Sequence, residues 1–210
     1  MYKLYYSPGA CSMGVHVVLN ECNVPFELEK VDMMAGQNRT PEYLKLNPRG
    51  QIPVLVEDGK PIREGAAQLI YLLEKYNSPL LPKSGIERAT ALEWLMFANA
   101  TLHPAYARVF FLKRNGPDDS TKDALMEVAA AKINEHWAEV EQRLSQSPFI
   151  CGNDITIGDI LITVIANWTG NVPKTIVIGP NTRAMFKKVI ARASYQKALE
   201  TEGVTYKMAA

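Results

Sequence analysis

The stretch Tyr2-Lys3-Leu4-Tyr5-Tyr6-Ser7-Pro8-Gly9-Ala10-Cys11-Ser12 decides how the rest of the chain is read. Tyr2 to Tyr6 has the make-up of a short strand, and it breaks at Ser7-Pro8-Gly9 because proline and glycine punctuate regular structure. Cys11 and Ser12 then open an apolar run, Met13 to Leu19, long enough for a helix that fades near Asn20 to Asn23. A thiol therefore sits at a strand-to-helix turn. Unsatisfied N–H groups and the positive end of the helix dipole favour a thiolate there. Most free cysteines are small buried hydrophobes; the position after a Pro-Gly turn marks this one as reactive. Gly14 stands where a dithiol motif would carry its second cysteine, so the thiol is single and expects a partner from another molecule.

Downstream, Pro25 precedes a second strand, Phe26 to Val31, whose alternation of Phe26 and Leu28 with Glu27 and Glu29 gives one buried face. Residues 33–40 form a polar loop. Thr40-Pro41 reads as an N-cap followed by proline at the first helical position, and Asn47-Pro48 ends that helix. Gln51 to Val56 is a strand interrupted by Pro53, which cannot donate to a sheet ladder and so marks an edge, a bulge or a cis turn. Asp58-Gly59 makes a tight hairpin, returning through Pro61 to Arg63. Glu64-Gly65 then opens a helix over Ala66 to Tyr76. Strands alternating with helices predict a small mixed sheet with a right-handed βαβ crossover.

Residues 78–86, containing Ser78-Pro79 and Ser84-Gly85, read as a linker between a domain over 1–77 and an all-helical domain over 87–210. Helical spacing runs from Ile86 to about Lys113, with Pro104 expected to kink or end it. Gly116 to Ser120 breaks the pattern, and a long helix follows from Ser120 to Ser145. Ile155-Thr156-Ile157-Gly158-Asp159-Ile160 is a capping box with a hydrophobic staple. It opens an apolar helix to about Gly170, the expected buried centre of this domain. Further helices are expected near Arg183 to Ala193 and Ser194 to Leu199.

The net charge of +1 with scattered basic residues leaves no electrostatic footprint for nucleic acid. No apolar run approaches the roughly 20 residues that span a bilayer. Cys11, Cys22 and Cys151 are odd in number and far apart, which fits neither a disulfide framework nor a metal cluster. The first residues read as a strand rather than a signal peptide, so a reducing cytoplasm is the expected compartment.

These motifs together resemble the cytosolic glutathione S-transferases, most closely the bacterial beta class. The matching residues are Ser7-Pro8-Gly9-Ala10-Cys11-Ser12, Asn47-Pro48-Arg49-Gly50-Gln51-Ile52-Pro53, Glu64-Gly65, His103 and the capping box at 155–160. The resemblance implies a thioredoxin-like N-terminal domain, with a mixed four-stranded sheet and helices, plus an all-α C-terminal domain, paired as a homodimer. It implies glutathione as co-substrate, no metal, and conjugation of its thiolate to a hydrophobic electrophile. Thiol transfer or peroxide reduction through Cys11 is a further expected activity. A glutathione-dependent isomerase or dehalogenase, or a non-catalytic partner-binding protein, are the alternatives.

By that resemblance the glutathione thiol meets Cys11 and His103, and its backbone pairs with Ile52, held open by a cis bond at Pro53, as a strand added to a sheet edge. The γ-glutamyl carboxylate sits on the helix N-terminus at Gly65, Glu64 takes the ammonium, and Gln51 and Ser12 add contacts; Asn99, four residues before His103 on the same helical face, is a further expected contact. His103 is expected to donate to, or charge-pair with, the thiolate and to lower the thiol's pKa. Ser12 is a rival to Cys11 through its hydroxyl, Tyr6 is a packing residue, and His16 and His136 are structural. A lysine of beta-class relatives is missing at Ala35-Gly36, leaving Gln37, Asn38 or Arg39 to replace it. The electrophile's walls are expected from residues 8–12, 103–111 and Trp168, with Phe110 and Phe111 read as core.

Overall fold

The computed structural model describes residues 1–117 and 119–209, so Asp118, in the expected break at 116–120, lies outside the described residues. Two compact units emerge. The first comprises residues 1–83 and 191–205, the second residues 84–190 and 206–210.

In the first unit, β1 (Tyr2–Tyr6) buries Tyr2, Leu4 and Tyr6 on one face, the period of two that a pleated strand imposes. It pairs in parallel with β2 (Phe26–Lys30), Tyr2 opposite Phe26, and antiparallel with β3 (Val54–Glu57), Leu4 opposite Leu55. β4 (Lys60–Ile62) completes the order β2-β1-β3-β4. The β1-to-β2 crossover is α1 (Ser12–Glu21), which buries every residue from Ser12 to Leu19. α2 (Pro41–Leu46) starts at Thr40, whose hydroxyl accepts the Tyr43 N–H at 3.3 Å, and covers the other face, where Tyr5 packs edge-on against Tyr43. α3 (Gly65–Lys75) follows the hairpin and packs on α1.

Two expectations change here. Pro53 lies ahead of β3 rather than within it, and β3 is an interior strand between β1 and β4. The proline therefore needs no exposed edge, because the ladder begins after it. The Ile52–Pro53 bond is cis. The segment read as a linker is also partly interior, with Leu80 and Leu81 buried. The chain then returns: α9 (Ala193–Glu202) packs on α1 in the first unit. Arg192 forks onto the Glu21 carboxylate with two 2.7 Å bonds, and Ser194 donates to the same group.

The second unit is helical. α4 (Gly85–Met96) passes through a π-helical turn, Phe97–Leu102, into α5 (His103–Asn115). The anticipated Pro104 disturbance takes this form: proline has no N–H for the preceding turn, and the His103 N–H reaches back five residues to Ala98. α6 (Ser120–Leu144) is capped by the Asp119 carboxylate on the Thr121 N–H at 2.9 Å. α7 (Ile157–Ala166) is buried at all ten positions, as its composition requires of a central helix. α8 (Pro180–Ile190) packs on α6 and α7, with Trp137 edge-on to Phe186. No described helix is long and apolar enough to cross a membrane.

Candidate functional site

The site is assembled in the first unit, where the turn after β1, the loop before β3 and the start of α3 come together. Within the turn, the buried Ser12 hydroxyl accepts the Ser7 N–H and donates to the Ser7 carbonyl, both at 3.2 Å. That closes the loop so that Cys11 lands at the N-cap of α1. It also commits the Ser12 hydroxyl to the turn, against its expected role as a rival to Cys11. What Ser12 still offers a ligand is its backbone N–H at the helix start.

The Cys11 thiol faces the carbonyl of Ile52, with Sγ at 3.7 Å. A lowered pKa was expected for it, and the opposite holds. Burial pushes the thiol up to about 11, while the N–H groups of Cys11 and Ser12 pull it down without prevailing. Desolvation of an anion outweighs a few helix-end donors. At neutral pH, without ligand, Cys11 is a protonated thiol donating toward Ile52.

The loop that carries Ile52 is held by side chains that sequence reasoning passed over. Asn38 donates to the Gly50 carbonyl at 2.7 Å, while Tyr43 and Asn47 both donate to the Gln51 carbonyl, at 2.9 and 2.8 Å. The buried Gln68 amide donates to Pro53 and Ile62 carbonyls at 3.1 and 2.9 Å. Gly50 has a positive φ of 63°, and an added Cβ would stand 2.8 Å from the Asn38 carbonyl oxygen, so only glycine fits. The available signal was a run of amide residues around an Asn-Pro-Arg-Gly turn.

Glu64 holds φ 54° and ψ 111°, a region a non-glycine residue enters only under constraint. Its carboxylate pairs with Arg49 at 2.6 Å, both side chains being exposed. α3 begins immediately after it, with neither a side-chain cap nor an acid in its first turn, so its N-terminal N–H groups have no side-chain partner from the helix itself. A Cβ on Gly65 would touch the Pro53 ring at an ordinary 3.5 Å; Gly65 thus sits against the cis-proline. Gln51 is exposed. Of the three candidates for the missing lysine, Gln37 accepts the Asp32 N–H at 2.8 Å and Asn38 is buried in its bond to Gly50. Arg39 is exposed, with one guanidinium nitrogen 3.3 Å from the Arg49 carbonyl.

His103 and Asn99 belong to the second unit. Asn99 lies in the π-helical turn and His103 at the start of α5, its ring edge-on to Trp168 at 4.9 Å. Burial lowers the His103 pKa, so the ring is neutral at pH 7. Of the two expected roles, charge pairing and hydrogen-bond donation, a neutral ring is compatible only with donation. Tyr106 and Phe110 join Trp168 in the same aromatic group, with the Tyr106 hydroxyl 2.6 Å from Thr169 and 2.8 Å from the Trp137 N–H. Phe110 is half-buried, and Phe111, expected in the core, is exposed. His16 is buried in α1 as expected.

A mixed four-stranded sheet with a cis-proline loop facing a thiol at a helix N-terminus defines a thioredoxin-like domain, here joined to a helical unit. The glutathione S-transferase N-terminal domain model matches residues 9–75, and the C-terminal domain model matches residues 100–193. Glutathione S-transferase GST-4.5 of Xanthomonas campestris is 32% identical, over 96% of this chain and 99% of its own length. A sphingomonad glutathione S-transferase solved with glutathione superposes with a TM-score of 0.83 at 29% identity, covering 97% of this chain and all of its own. A beta class enzyme from Sphingomonas chungbukensis gives 0.82 at 27% identity, with the same coverages. The chain belongs to the glutathione S-transferase family and is an enzyme of that family.

Proposed function

We propose that this enzyme binds glutathione along the Cys11–Ile52–Gly65 line and conjugates its thiolate to hydrophobic electrophiles, as a beta-class, homodimeric, cytoplasmic transferase. The observation that carries the reading is the protonated Cys11 thiol at the start of α1, opposite the Ile52 carbonyl. A thiol that keeps its proton is a donor, and a donor beside an incoming glutathione sulfur stabilises that sulfur as thiolate. The glutathione thiolate then attacks an electrophilic carbon, forming a thioether while a leaving group departs with the electron pair.

The remaining contacts follow the chemistry of each end of the ligand. Ile52 pairs with the cysteinyl backbone as a short extended segment, not as a sheet edge. The uncapped start of α3 at Gly65 receives the γ-glutamyl carboxylate, Glu64 exchanges Arg49 for the ammonium, and Gln51 borders the head group. Arg39 takes the glycine carboxylate in place of the missing lysine. The ligand roles of His103 and Asn99, and of the aromatic group around Trp168 as an apolar surface, rest on the family resemblance alone. A second reading, thiol transfer, is favoured by the cysteine at the head of α1, since serine or tyrosine cannot perform it. There, the minor thiolate form of Cys11 attacks the glutathione sulfur of a substrate's mixed disulfide, the substrate thiolate leaves and takes up a proton, and a second glutathione thiolate displaces Cys11, leaving as oxidised glutathione.

Mass spectrometry after incubation with oxidised glutathione, beside a conjugation assay with a chloronitroaromatic, tests both readings in wild type and Cys11→Ala. Conjugation that falls in the variant supports the donor role, and one glutathione on Cys11 supports thiol transfer. Full conjugation in the variant moves the role to His103. An absence of glutathione binding overturns the proposal.

A further inference from the structure

The ladder between β3 and β4 ends at the pair Leu55 and Ile62. Just past that pair the side chain of Gln68, one turn into α3, joins the two strands. Its amide nitrogen donates to the Pro53 carbonyl at 3.1 Å and to the Ile62 carbonyl at 2.9 Å. Both partners can only accept, so the orientation of the amide is fixed. The amide thus supplies a rung that the strands do not make for each other. A third bond runs along the helix, from the Gln68 N–H to the Glu64 carbonyl at 3.1 Å. Gln68 is thereby tied to the loop that carries Ile52, to the end of the hairpin and to the residue that precedes Gly65. The loop and the helix start also touch where Gly65 lies against the Pro53 ring. Contact of that kind has no preferred direction, whereas a pair of hydrogen bonds fixes the register of the two segments. The Gln68 side chain is fully buried, and its Oε1 has no hydrogen-bond partner among the described residues. Leaving a buried amide oxygen unpaired is costly, and an apolar side chain of similar size would fill this place without that cost. The glutamine is explained by what it donates, not by what it buries.

We infer that Gln68 is a positioning residue for glutathione, setting the spacing between the Ile52 backbone, which pairs with the cysteinyl part, and the α3 N-terminus at Gly65, which receives the γ-glutamyl carboxylate. The inference rests on the reading of those two places as parts of one glutathione site. A ligand that touches both segments at once feels an error in their spacing even when each keeps its own shape. These contacts are made alike before and during the reaction, so losing the spacing weakens binding and leaves the chemical step alone.

Calorimetry of glutathione binding, with steady-state conjugation of a chloronitroaromatic alongside, tests it in Gln68→Leu, which keeps the bulk and removes both donors. The glutathione Kd rises roughly tenfold, the worth of one or two neutral hydrogen bonds. At saturating glutathione, kcat and the KM for the chloronitroaromatic stay within about twofold of wild type. Should the leucine variant not fold, Gln68→Asn keeps the carboxamide but is one methylene too short to reach both carbonyls, and it carries the same expectation. Asp159→Ala separates positioning from lost stability. It removes the capping carboxylate of α7 in the second unit, and its folded form keeps the wild-type Kd. An unchanged Kd in either folded Gln68 variant, a fall in kcat as large as the rise in Kd, or the same rise in Asp159→Ala overturns the inference. If wild type binds no glutathione, the proposed function falls and takes the inference with it. If wild type binds and the Gln68 variants bind equally well, the inference alone falls.

Discussion

Two helices of this protein begin in opposite ways. α1 starts at Cys11, with no side-chain capping bond and no acid in its first turn. α7 starts inside a closed capping box, where the buried Asp159 carboxylate takes the Thr156 and Ile150 N–H groups at 2.8 Å each. The first N–H groups of any helix lack partners within it. At α7 the chain supplies its own carboxylate, and burial pushes that carboxyl up to about 6 even against those donors. At α1 the Met13 and Gly14 N–H groups turn back onto the Ala10 and Cys11 carbonyls, and those of Cys11 and Ser12 are left to the thiol and to whatever binds there. One end is completed for stability, and the other is left incomplete for chemistry.

The sharpest way to break that contrast is to delete each key side chain and read both properties. Cys11→Ala should abolish any glutathione adduct and cut conjugation at least tenfold, the worth of one charge-assisted hydrogen bond. Stability should move by less than about 1 kcal/mol, as urea denaturation will report. Without glutathione, wild-type Cys11 alkylation should climb about tenfold per pH unit and still be rising at pH 10, because thiolate forms only as pH approaches about 11. A plateau near 8.5 would mean that the helix end prevails over desolvation.

Asp159→Ala should do the reverse. Losing the cap and stranding buried N–H groups should cost about 3 kcal/mol, a fall in Tm of roughly 6–12 °C for a chain of this size. The Cys11 alkylation rate in the folded protein should not change. A third helix start lies between these extremes. Glu64 keeps an unfavourable backbone at the head of α3, so Glu64→Gly should gain about 1 kcal/mol of stability while weakening glutathione binding in calorimetry. The smallest effect belongs to Arg49→Ala: its exposed pair with Glu64 should contribute less than about half a kcal/mol in a thermal melt.

How far the sequence could be read follows from the range of the forces involved. The Thr40 cap, the capping box at 156–159, the Asp-Gly hairpin and the break at Ser7-Pro8-Gly9 each act within one turn of chain, and each appears where the residues place it. The position of Cys11 at the head of α1 was legible for the same reason. Its protonation state was not, because desolvation depends on everything packed around the sulfur. The pinning of the Ile52 loop by Gln68, the interior place of β3 and the neutrality of His103 were likewise out of reach.

Local stereochemistry, carried by prolines, glycines and capping residues, was therefore enough to determine the elements, their order and the thiol at the turn. Tertiary structure alone decided that Pro53 precedes an interior strand, that α9 returns to the first unit, and that Gln68 bridges the Pro53 and Ile62 carbonyls. Those outcomes depend on burial and on partners far along the chain, and neither is encoded in the spacing of neighbouring residues.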